Sequence, residues 1–252
     1  MMFLRGNSSA EAVLWRYDAD ALEWLAEPVV FDDDEGLTDY DVWRSPLVYD
    51  ARRDRFVIYT GAKLGEWDRQ SISTRSTYYE GDNEAPASRT DHAMSYVPFS
   101  GDTLMYGGDV TEVSSDGSVS EYTDSLTWRW DGSRWESTYT SGNDNPGAQS
   151  GLALSIEGGS ILAMASAPND ALGVWIFSEG SGWRFEGGDP EEGPVGRTGH
   201  ASTYEWEYES LIMHGGRTID GALDHATWLY DPKLRVWSDT TPGLGSATGP
   251  GA

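Results

Sequence analysis

One ordered pattern occurs twice in this sequence, and that repetition limits the fold more than any other feature. From Arg197 the chain reads Arg-x-x-His200, then Leu211-Ile212-Met213-His214 running into Gly215-Gly216, then Trp228 and Trp237. Upstream the same order reads Arg89-x-x-His92, Leu104-Met105-Tyr106, Gly107-Gly108, Trp128 and Trp135. The two copies start two periods of about 54 residues apart. Each holds four short β-branched and aromatic runs bounded by Gly, Asp and Pro, which is how strands and their turns read in sequence. A unit of four strands in about fifty residues predicts repeated small sheets stacked on one another.

Weaker copies fill the rest of the chain. Between the clear ones, Leu152-Ala153-Leu154, Ile161 to Ala165, Trp175 and Trp183 keep the order. There Ala148 and Gly151 stand where Arg and His would be, and the Gly-Gly pair is missing. An upstream copy has Arg44-x-x-Leu47, Arg55 to Tyr59 and Gly61, with Tyr78-Tyr79 the nearest substitutes for its Trp pair. The chain start is a partial copy: Met2 to Gly6 matches the strand before Gly-Gly, and Trp15 and Trp24 match the late pair. The expected units are 1–28 (partial), 42–86, 87–140, 146–190 and 194–242, followed by a flexible tail at 243–252.

The pattern has a packing logic. Leu211-Ile212-Met213 is apolar on both faces, as expected of a strand covered on both sides. Paired Trp residues fill a wide gap between sheets. Gly-Gly allows a sharp turn or a close approach to another chain segment. Asp131-Gly132 and Glu179-Gly180 suit tight hairpins, and the polar stretch Val110 to Tyr122 reads as a long surface loop between two strands. A β-sandwich would not impose this order at a fixed period.

With its Arg-x-x-His, Gly-Gly and Trp-pair order, the chain resembles the kelch-repeat family, whose fold is also that of the galactose oxidase central domain. The resemblance implies an all-β, kelch-type β-propeller of about five four-stranded blades, the first incomplete. Family members often close the ring with a blade shared between the termini. Residues 243–252 have little strand character, so an open or truncated ring is the alternative. Kelch arginines at this position often line a ligand-facing pocket, which nominates Arg44, Arg89 and Arg197 as ligand-binding residues. Converging guanidinium groups suit a carboxylate or an acidic peptide. The competing reading pairs each arginine with a local carboxylate such as Asp91. His92 and His200 are repeat-equivalent, so a hydrogen bond that fixes the blade explains them better than a metal site.

Charge removes several function classes. The chain has 42 Asp and Glu against 17 Lys and Arg, a net charge of −25. Nucleic-acid phosphates would be repelled, as would an anionic membrane surface. No apolar run reaches membrane-spanning length, so no membrane insertion is expected. There is no cysteine, which excludes disulfides, thiolate metal sites and the Tyr–Cys copper chemistry of galactose oxidase. The run Asp32-Asp33-Asp34-Glu35 lacks the alternating spacing of a calcium loop and reads as a solvated connection. No cofactor and no metal site are expected.

An acidic, lysine-poor chain fits an extracytoplasmic protein or a salt-adapted cytoplasm. The start shows only a four-residue apolar run, Met1 to Leu4, and no secretory pattern. It reads as a strand already inside a blade, so the chain is expected to be a fragment or to begin downstream of a natural start. The leading functional expectation is a non-enzymatic module that binds a protein or peptide, with a glycan as a further candidate, through one propeller face and the channel mouth. The alternatives are a carbohydrate-active hydrolase or isomerase and a purely structural repeat domain.

Overall fold

A computed structural model describes residues 2–6, 12–18, 20–27, 45–60, 63–68, 72–76, 85–114, 116–138, 145–147, 153–157, 160–167, 169–178, 181–189, 191–205 and 207–241. Arg44, the Asp32–Glu35 run, Tyr78-Tyr79, Ala148, Gly151, the Glu179-Gly180 turn and the tail 243–252 lie outside them. Among the described residues the fold is all-β, without a helix, built from small antiparallel sheets. This is consistent with a β-propeller-like fold.

The first sheet has three strands, Met2–Gly6, Ala12–Asp18 and Glu23–Glu27. Four further sheets have four strands each, every strand paired with the next one of its own sheet in chain order. The second sheet is Leu47–Asp50, Arg55–Thr60, Lys63–Trp67 and Ile72–Ser76. The third is Ala93–Val97, Asp102–Tyr106, Thr127–Trp130 and Trp135–Thr138. The fourth is Ala153–Glu157, Ser160–Ser166, Leu172–Ser178 and Gly182–Gly187. The fifth is Ala201–Glu205, Ser210–His214, Thr227–Asp231 and Val236–Asp239.

Asp residues set several of the turns. Asp131 Oδ1 accepts hydrogen bonds from the backbone N–H of Ser133 at 2.7 Å and Arg134 at 2.9 Å. Asp231 does the same for Lys233 at 2.8 Å and Leu234 at 2.9 Å. Asp50 serves Arg52 and Arg53, each at 3.1 Å. A carboxylate that bonds its own downstream backbone holds a turn that strands alone would leave open. In the second sheet the sequence signal fades after Gly61, yet two strands form there. Lys63, Gly65 and Glu66 hide the third strand's apolar pattern. Trp67 replaces the missing Trp pair: it is 7% exposed, and its ring lies 5.4 Å from Phe56.

The chain divides into two compact units, one of residues 1–143 with 147–151, the other of residues 144–146 with 152–252. In the first unit, Val57, Tyr59 and Leu64 of the second sheet pack with Met94, Met105, Trp128, Trp130 and Trp135 of the third. Tyr59 meets the Trp135 ring edge-on at 5.4 Å. In the second unit, Leu162, Met164, Leu172 and Val174 of the fourth sheet pack with Leu211, Met213 and Tyr230 of the fifth. Alternate residues of one strand therefore fill one gap between facing sheets, as the pleat requires. Aromatic pairs join third and fourth strands: Trp130–Trp135 at 5.5 Å, Phe177–Trp183 at 5.2 Å and Tyr230–Trp237 at 5.0 Å. Trp128, Trp135, Trp175 and Trp183 thus act as core, whereas Trp24 of the first sheet is exposed.

Candidate functional site

The two clear sequence copies build the same side-chain device in the third and fifth sheets. At the end of Asp102–Tyr106 the chain enters Gly107 and Gly108, with φ of 70° and 99°. Its counterpart enters Gly215 and Gly216, with φ of 71° and 103°. L side chains rarely adopt this region, so glycine is required here. Space requires it as well. A Cβ on Gly108 would lie 2.8 Å from the Thr90 carbonyl oxygen and 2.9 Å from the His92 Cβ. On Gly216 it would lie 3.0 Å from the Thr198 carbonyl oxygen and 3.0 Å from the His200 Cβ. The Gly-Gly kink therefore lies against the Arg-x-x-His segment.

Arg89 and Arg197 are buried beside these kinks, each 2% exposed. Arg89 Nε donates to the Ala87 carbonyl at 3.1 Å, and Nη1 donates to the Gly107 carbonyl at 3.0 Å and to Asp124 Oδ2 at 2.6 Å. Arg197 makes the equivalent set: Nε to Val195 at 3.1 Å, Nη1 to Gly215 at 3.2 Å, and an ion pair with Asp224 Oδ2 at 2.9 Å. The carboxylates act in both directions. Asp124 Oδ1 accepts from the N–H of Ser125 and Leu126, and Asp224 Oδ1 from that of Ala226. Each arginine thus ties the segment before the first strand to the start of the Gly-Gly kink and to the approach of the third strand. Both guanidinium groups of the nominated Arg89 and Arg197 thus bond internal partners. Their partners are Asp124 and Asp224 rather than Asp91. Arg44, the third nominee, lies outside the described residues.

The histidines sit beneath the kinks. Burial, then the Arg89 charge, lowers the His92 pKa to about 3, against the nearby Tyr59 backbone, which raises it. Burial, then Arg197, lowers that of His200 to about 4. Both rings are neutral at pH 7, and His92 packs edge-on against Tyr59 at 5.8 Å. His214 shares a 2.9 Å hydrogen bond with Thr227 on an exposed surface. Among the described residues no group of three or more His, Asp or Glu is placed to hold a metal ion.

Beyond each kink the chain makes an excursion before the third strand. In the third sheet's repeat, Asp109–Val113 and Val119–Thr123 form a hairpin whose base pairs with Arg89–Thr90. Val110 is buried at that base, but Val113, Val119 and Tyr122 are 58%, 59% and 46% exposed. In the fifth sheet's repeat, Arg217–Thr218 pairs with Arg197–Thr198, and beyond it Ile219 and Leu223 are 54% and 66% exposed. Each excursion is therefore anchored on a buried arginine and carries apolar side chains into solvent.

Sequence reasoning did not single out Asp124 and Asp224, although a signal existed. Each stands four residues before a repeat Trp, in Asp124-Ser-Leu-Thr-Trp128 and Asp224-His-Ala-Thr-Trp228. At the same distance before Trp175 the fourth repeat has Ala171. The fourth repeat lacks the Arg, the His, the Gly-Gly and the Asp together, as members of one device should be lost.

No protein-family model and no curated protein matches the chain. Among solved structures it is similar to that of YjhT, with 12% sequence identity and a TM-score of 0.56 over 80% of this chain and 66% of that one. The likeness is one of fold alone.

Proposed function

We propose that this chain is a kelch-type β-propeller module of about five blades that binds a protein or peptide partner. The excursions that follow the Gly-Gly kinks are its contact elements. One observation carries this reading: Val113, Val119 and Tyr122 stand exposed on a two-stranded ribbon whose base is fixed by the buried Arg89–Asp124 pair. A two-stranded ribbon gains little stability from side chains left in water, so these apolar positions are better explained by a partner than by the fold. In this reading Arg89 and Arg197 position the excursions and do not touch the partner.

The test is selection of a random displayed peptide library on the intact chain, in parallel with a Val113→Ser, Val119→Ser, Tyr122→Ser variant that keeps the wild-type melting curve. Peptides enriched on the wild type and lost on the variant are expected. No enrichment on the wild type, or equal retention by the variant, would overturn the proposal.

A further inference from the structure

The hairpin has a direction and a charge, and together they name its partner. Val119–Thr123 is the outer strand of its sheet, with Asp109–Val113 in the middle and Arg89–Thr90 beyond. The hydrogen bonds fix which backbone groups face outward. Ser114 N–H donates to the Ser118 carbonyl, and Asp124 N–H donates to that of Gly108. Thr111 N–H points the other way, to Ser88. With Thr111 opposite Glu121 and Val113 opposite Val119, the antiparallel alternation turns Ser120 and Tyr122 toward the hairpin partner. It turns the N–H and C=O of Val119, Glu121 and Thr123 toward the outer edge, which no strand covers among the described residues. That edge is a template for one more strand.

The ribbon's charge has one sign. From Asp109 to Asp124 there are five carboxylates and no basic residue. Asp124 is neutralised by Arg89. Asp116, fully exposed, has its pKa lowered by hydrogen bonds from Ser118, which keeps it ionised. A second copy of this ribbon would bring like charges together along the new ladder, which opposes self-pairing. A basic strand is attracted.

We propose, resting on the peptide-binding reading above, that the Val119–Thr123 edge takes an extended peptide in which pairs of basic and apolar residues alternate, so that each of its faces carries both, added as a further antiparallel or parallel strand. On the face shared by Val113, Val119 and Glu121, an apolar side chain would extend the Val113–Val119 pair and a basic one two residues along would lie near Glu121. On the other face a basic side chain would lie near Glu112.

The experiment uses the intact chain and a capped nine-residue peptide of alternating Lys-Lys and Val-Val pairs, with binding followed by fluorescence anisotropy at low salt. Glu121→Pro removes an N–H that faces the outer edge and leaves the hairpin ladder intact. Glu121→Gln removes the charge and keeps the N–H. Wild type is expected to bind and to weaken as salt rises. Glu121→Pro is expected to bind about tenfold more weakly and Glu121→Gln about twofold. A peptide N-methylated at alternate positions should lose binding. Equal binding to wild type and Glu121→Pro, or by the methylated peptide, would mean charge attraction without strand addition and would overturn this inference. The peptide-binding reading would still stand on its library result. Failure of the peptide to bind wild type also overturns it, as does a concentration-dependent dimer abolished by Glu121→Pro, which would make a second copy the occupant.

Discussion

The fourth and fifth sheets belong to the same compact unit, yet they end their second strands differently. In the fourth, Ser160–Ser166 runs seven residues and returns through a tight turn, with Ala167 N–H bonded to the Ala171 carbonyl at 2.9 Å, into Leu172–Ser178. In the fifth, Ser210–His214 stops after five residues at Gly215, and the chain makes its excursion before Thr227–Asp231. The third sheet behaves like the fifth and has the longer excursion. The second behaves like the fourth, with only two residues between Thr60 and Lys63. The Arg–His–Gly-Gly–Asp device is complete in the two repeats with long connections and incomplete in the two with short ones. A buried ion pair is expensive to desolvate and is a weak source of net stability. Its presence is better explained by what it fixes, which is the base of a long hairpin.

The sharpest way to break this comparison is to remove the arginine. Arg89→Ala leaves the Asp124 carboxylate, 7% exposed, without its cation and the Gly107 carbonyl without its donor. The expected loss is about 3–5 kcal/mol in urea unfolding. Arg197→Ala should cost about 1–2 kcal/mol less, because the Asp224 side chain is 31% exposed and water replaces part of the interaction. Equal losses would show that burial of the carboxylate does not set the value of the pair.

The sequence makes the repeat order and most strands legible because strand periodicity and turn residues are local properties. Trp128, Trp135, Trp175 and Trp183 could be assigned to the core for the same reason. The role of Arg89 and Arg197 was not legible. A guanidinium that binds a ligand and one that holds a loop look alike until the partner carboxylate is located. Here that carboxylate lies 35 residues from Arg89. The Lys63–Trp67 strand was hidden for a related reason: its polar residues give no alternation, and the facing third sheet supplies what its own sequence does not.

The histidines offer a second way to separate the sheets. The unfolded chain binds a proton on each near pH 6.5, while the folded chain does so only near 3 for His92 and 4 for His200. Between these limits the unfolded state holds more protons, so stability falls as pH drops through the window and is fully present above 6.5. Each histidine contributes a slope of up to about 1.4 kcal/mol per pH unit, or about 2 kcal/mol between pH 7.5 and 5. Urea midpoints at pH 7.5, 6 and 5 should therefore fall more steeply for wild type than for His92→Gln or His200→Gln. Parallel curves would mean that these rings gain a proton in the folded state as easily as in the unfolded one.

The smallest effect is the most discriminating, because it compares a glycine of the kink with a glycine of the sheet that lacks one. At Gly108 an added Cβ meets the Thr90 backbone oxygen at 2.8 Å and must also adopt φ of 99°. At Gly173, in the fourth sheet beside the bulge at Val174 and Trp175, it meets the far edge of the Trp175 ring at 2.5 Å and the Ala167 Cβ at 3.1 Å. Both contacts are too close, but they relax differently. A backbone carbonyl held in a ladder cannot move without breaking that ladder, whereas an indole ring can tilt against Phe185, 4.9 Å away. Gly108→Ala should therefore cost more than Gly173→Ala by about 1 kcal/mol. The second variant should shift tryptophan fluorescence, and the first should leave it nearly unchanged. If Gly173→Ala proved the more damaging, the fourth sheet's bulge would be as rigid a fixture as the kink, and the absence of the arginine device there would need another cause than a short connection.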